Sequence, residues 1–74
     1  RQRGSFINYI LKTYRTTKDR VERIYLMVLS RKPTTKEVTH FERYVKRSLY
    51  NDKKLAYEDL YWVLLNSAEF ALNH

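Results

Sequence analysis

Any chemistry in this chain of 74 residues has to come from two histidines, eight carboxylates and fifteen Lys or Arg side chains, because it contains no cysteine. Without Cys there is no thiolate metal site, no Cys nucleophile, no covalent haem attachment and no disulfide frame. His40 is the one interior histidine, and at helical spacing its neighbours are Lys36 and Arg43, with Arg47 further along. It therefore reads as part of a solvated cationic face. His74 is terminal, and zinc needs three or four convergent ligands that two distant histidines do not supply. Glu58 and Asp59 are adjacent, so on a helix they point about 100° apart and do not form a proton-sharing pair. Glu69 follows Asn66 by three residues, which suits capping of a final turn. A single Gly excludes a glycine-rich phosphate loop. No catalytic residue, metal site or cofactor is expected from these residues.

Charge and exposed aromatics offer a different chemistry. The formal net charge is +7. Residues 1–20 carry six basic groups against one acidic, residues 21–50 seven against three, and residues 51–74 two against four. A basic amino-terminal two-thirds can follow a phosphate backbone, with Lys36, Arg43 and Arg47 making the contacts and Tyr9, Tyr14 or Tyr50 stacking on bases. Against nucleic acid, no recognition-helix signature is evident, and Pro33 stands in the only tight turn, where a helix–turn–helix corner often holds Gly. Binding to nucleic acid or another polyanion is thus the alternative reading. The leading candidates are apolar: Trp62, Val63 and Leu65, in a stretch that is hydrophobic almost all round.

The elements that position these groups are helices. The chain has room for one core. Hydrophobic residues make up 43% of it, with seven Tyr, and Gly and Pro occur once each. That balance suits helices joined by short loops and disfavours hairpins, whose turns need positive φ. In a first helix, capped by Ser5, Ile7, Ile10 and Tyr14 share a face with Phe6 and Leu11 at its edge. A second starts near Thr16 or Thr17, has Asp19 in its first turn, and buries Val21, Ile24, Tyr25 and Val28, widened by Leu26, Met27 and Leu29. Arg31 and Lys32 suit its negative end, and Pro33 stops it by disfavouring the α conformation at Lys32. Thr34 and Glu37 have the spacing of a capping box, flanked by Pro33 and Val38 as a hydrophobic staple. The third helix runs to about Leu49, burying Val38, Phe41, Val45 and Leu49 opposite Lys36, His40, Arg43 and Arg47. Asn51 or Asp52 caps a fourth, with Tyr57, Leu60, Tyr61 and Leu64 as its stripe. Asn66-Ser67 ends it, and Ser67 caps a short terminal turn.

The carboxyl-terminal half resembles a known family. The run Tyr57-Glu58-Asp59-Leu60-Tyr61-Trp62-Val63-Leu64-Leu65-Asn66-Ser67-Ala68-Glu69-Phe70, through Asn73-His74, is similar to the closing segment of a planctomycete-type surface-protein family. Upstream, Arg23-Ile24-Tyr25-Leu26, Leu29-Ser30-Arg31-Lys32-Pro33-Thr34 and Glu37 resemble the turn of the same domain. The resemblance covers roughly residues 20–74, and its Leu-Leu-Asn-Ser-x-Glu-Phe-x-x-Asn-His ending is the more specific half. It implies an exported, extracytoplasmic or cell-surface protein, some of whose relatives carry a c-type cytochrome module. No haem-attachment Cys exists here, and the family supplies no catalytic residue to transfer. A looser similarity joins the chain to phycobilisome-linker-like helical domains, which act by protein–protein contact.

The expectation is an all-α, compact bundle of four short-looped helices. Residues 1–4 are expected to be a disordered or linker stretch and residues 5–74 a single helical domain. The chain opens Arg-Gln-Arg-Gly without an initiator Met or signal peptide, so it reads as the end of a larger protein. No apolar run approaches the ~18 residues of a membrane span. Its expected work is non-catalytic: docking of the fourth helix through Trp62, Val63 and Leu65 onto the rest of its own polypeptide or another protein.

Overall fold

A computed structural model describes the backbone of residues 2–47 and 53–72 and the side chains of residues 5–47 and 53–67. Four helices follow one another: α1 (Gln2–Thr13), α2 (Thr17–Leu29), α3 (Thr35–Arg47) and α4 (Lys53–Leu72). No strand occurs among the described residues. Helices α2 and α4 form the central pair, each packing against both α1 and α3. The protein is thus an all-α four-helix bundle, and its radius of gyration of 12.0 Å is near the ~11 Å of a compact chain of this length.

The core follows the stripes read from the sequence. Ile7 and Ile10 from α1, Val21, Ile24 and Tyr25 from α2, Phe41 from α3, and Tyr57 and Leu64 from α4 are buried together. Val28, Val38, Val45, Leu60 and Tyr61 pack partly buried around them. Aromatic rings join the helices: Phe6 meets Tyr61 at 5.2 Å and Phe41 meets Tyr57 at 5.3 Å between centroids, in the tilted arrangements that rings prefer to face-to-face stacking. Ala56, absent from the expected stripe, is fully buried. It lies one position before Tyr57 and four before Leu60, so it belongs to the same face.

Helix ends show where local chemistry decides. Thr16 caps α2, its Oγ1 accepting from the Asp19 N–H at 3.1 Å. The expected capping box opens α3: the Glu37 N–H donates to Thr34 Oγ1 at 3.1 Å, and the Thr34 N–H donates to Glu37 Oε1 at 2.8 Å. Three expectations need correction. First, α1 begins at Gln2, so residues 2–4 are helical and Ser5 lies within the first turns instead of capping them. Gly4 costs a helix only about 1 kcal/mol, which does not stop it. Second, α2 ends before Pro33 can act. Ser30 takes the left-handed conformation (φ 59°) and its N–H donates to Leu26 O at 3.1 Å, a closure usually made by Gly. Third, α4 continues through Asn66 and Ser67 to Leu72. These two residues are only mildly unfavourable in a helix and no Gly or Pro follows, so the terminal turn is continuous with α4. The expected roles of Leu49, Tyr50, Asn51, Asp52, Glu69, Phe70 and His74 lie outside the residues whose side chains are described.

Candidate functional site

Placement of the apolar candidates follows from α4's position at the centre. Its stripe of Ala56, Tyr57, Leu60, Tyr61 and Leu64 faces inward. At 100° per residue, Trp62 then points almost directly away from that stripe, and Val63 stands on its flank. They remain 45% and 59% exposed. Leu55, seven residues before Trp62 and on the same outward face, is also exposed. Leu65, two positions after Val63, is rotated about 200° from it and is half-buried. The structure therefore brings Trp62 and Val63 together and sets Leu65 on the other flank.

Trp62 and Val63 line a groove of about 490 Å³ between α3 and α4, whose remaining walls are His40, Phe41, Tyr44, Asp59 and Leu60. The lining is mostly apolar. Phe41 supplies the link to the core, since it is buried against Tyr57 and lies 5.8 Å from the Tyr44 ring. At the polar edge, the Tyr44 hydroxyl donates to Asp59 Oδ2 at 3.1 Å, a bridge between the two helices. Residues 44 and 59 are far apart in the chain, so no local pattern could announce this pair. His40 and Tyr44, one turn apart on the same side of Phe41, are the only local hint of the α3 wall.

The cationic candidates lie on α3 as expected. Lys36, His40, Arg43 and Arg47 are all exposed. A second depression of about 310 Å³, lined by Thr35, Lys36, Thr39, His40 and Arg43, abuts the apolar groove and shares His40 with it. Arg47 lines neither depression.

Other polar contacts serve the fold. Arg31 donates from two guanidinium nitrogens to the two Glu37 carboxylate oxygens, each at 3.0 Å, and sits 5.4 Å from the centre of the Tyr25 ring. The Arg31 hydrogen bonds, followed by the Thr34 backbone, hold the Glu37 carboxyl at about 2. Burial, aided by the Glu37 charge, pushes the Tyr25 phenol up. Glu58 pairs loosely with Lys54 at 3.9 Å. Among the described residues no group of three or more His, Cys, Asp or Glu could hold a metal ion, and no helix is long and apolar enough to cross a membrane. No family model, curated protein or solved structure matches the chain.

Proposed function

We propose that this domain is a non-catalytic interaction module that docks through the outward face of α4, with the groove between α3 and α4 as the contact site. The single observation that carries this reading is the exposure of Trp62 and Val63 beside Phe41 and Leu60. An indole and an isopropyl group left next to a largely apolar groove gain free energy when covered, at roughly 25 cal/mol per Å² of apolar surface removed from water. Such a concentration of aromatic surface is the usual composition of an interface anchor. The partner is the rest of a longer polypeptide or another protein. The resemblance of residues 57–74 to the ending of exported surface proteins supports an extracytoplasmic setting.

The test is heteronuclear NMR with indole as a neutral aromatic probe. Shifts should concentrate on residues 40–44 and 59–63 and persist between about 0.05 and 0.5 M salt, because burial of a neutral ring is not screened. Shifts spread evenly over the surface, or centred on Tyr9 or Met27, which are also exposed, would reject the groove. The polyanion reading is favoured by one observation, the exposed row Lys36, Arg43 and Arg47. It requires binding of an oligonucleotide that weakens steeply with salt.

A further inference from the structure

The apolar groove and the cationic depression beside it meet at His40. Their juxtaposition says something about the occupant that the groove alone does not. One side offers Phe41, Leu60, Trp62 and Val63; the other offers Lys36 and Arg43, seven residues or about 10 Å apart along α3. Neither cation makes an ion pair among the described residues. We propose that this composite surface takes an acidic amphipathic helix of a protein partner, its apolar stripe seated in the groove and its flanking carboxylates between Lys36 and Arg43. The inference rests on the docking reading above and adds the sign and pattern of the partner's charge.

Two other occupants fit less well. A second copy of this chain would bring two molecules of net charge +7 together through faces that carry the same cationic row, and like charges across an interface are costly. A nucleic acid would lay its phosphates along a groove whose floor, Phe41 and Leu60, is apolar. An acidic helix, by contrast, meets both halves at once. Two turns of such a helix span about 11 Å, close to the Lys36–Arg43 separation.

Trp62 is the only tryptophan in the chain, so its emission reports occupancy of the groove directly. The probes are synthetic peptides of about 15 residues lacking Trp and Tyr: one with a Leu stripe flanked by Glu, and versions with every Glu replaced by Gln or by Lys. Polyglutamate and a thymidine oligonucleotide complete the set. The Glu peptide should shift Trp62 emission to the blue and bind about tenfold or more tighter than the Gln peptide. In the variant carrying Lys36→Glu and Arg43→Glu, the preference should reverse toward the Lys peptide. Both positions are exposed, so the variant should fold, and circular dichroism is the check. Equal binding of the Glu and Gln peptides, within about threefold, would overturn the acidic partner while leaving groove docking standing. Polyglutamate binding as tightly as the Glu peptide would overturn the apolar half of the proposal. Absence of any peptide effect up to about 1 mM would overturn both the partner and the docking reading, and tight binding of the oligonucleotide alone would put the polyanion in their place.

Discussion

Arg20 is the side chain whose loss should damage the fold most for its exposure. Its Nε donates to Tyr14 O at 2.7 Å and a terminal nitrogen donates to Leu11 O at 3.2 Å, so one guanidinium closes the carboxyl end of α1. The same group lies 5.5 Å from the centre of the Tyr57 ring, and the Tyr57 hydroxyl donates to Thr17 Oγ1 at 3.3 Å. Three helices therefore meet at Arg20. Hydrogen bonds from a charged donor contribute about 1.5–3 kcal/mol each. Partial exposure lowers that, and contact with the ring adds about 0.5–1 kcal/mol. Replacement by Met keeps most of the aliphatic stem and removes the fork, for an expected loss of roughly 2–3 kcal/mol. A domain of this size has only about 3–5 kcal/mol to lose. At a urea slope of about 1 kcal/mol/M, the midpoint of Arg20→Met should fall by about 2 M in a titration followed by circular dichroism. Arg20→Lys should recover less than half of this, because an ammonium cannot span both carbonyls. Hydrogen exchange should show the α1 amides losing protection first. A midpoint within about 0.3 M of the parent at unchanged slope would show that the fork contributes nothing.

Other expectations follow from the caps and the aromatics. Glu37 is held at about 2 against an ordinary value of 4.5, so its contribution is full above the unfolded value and is lost as pH falls from about 4.5 toward 2. Its carboxylate is about one-third exposed, so screening limits the contribution to about 1 kcal/mol. The stability gap between the parent and Glu37→Gln should accordingly close between pH 5 and pH 2 in thermal melts, and a gap independent of pH would refute the pairing. Thr34→Ala removes the acceptor for the Glu37 N–H and should cost about 1 kcal/mol by denaturant titration; no change would mean that the box contributes nothing. Phe41→Ala should lose about 3–5 kcal/mol and leave the chain largely unfolded at 25 °C. Trp62→Ala, at a half-exposed position, should stay folded with a loss below about 1.5 kcal/mol. If Trp62→Ala instead unfolded the domain, the indole would be a core residue and the docking surface would lose its anchor.

The face of each helix was legible in the sequence because the apolar spacing of one helix is a local property. Ile7 and Ile10, Val21 with Ile24 and Tyr25, Phe41, and Tyr57 with Leu64 were all expected inside and are buried. So was the Thr34–Glu37 box, whose partners are three residues apart. The helix ends were less legible where no strong breaker stands. Ser30 adopts a left-handed conformation that nothing in its type demands, and Asn66-Ser67 passes through a helix it was expected to end.

What the sequence by itself determined is the all-α class, the inward stripe of each helix and the cationic outer face of α3, since each depends on residues within one or two turns. Only the tertiary structure decided that Trp62 and Val63 share a groove while Leu65 does not, that Tyr44 reaches Asp59, and that Arg20 ties α1 to Tyr57. Those outcomes depend on how α4 is rotated between its neighbours. That rotation is set by the joint packing of side chains from all four helices, which no single segment encodes.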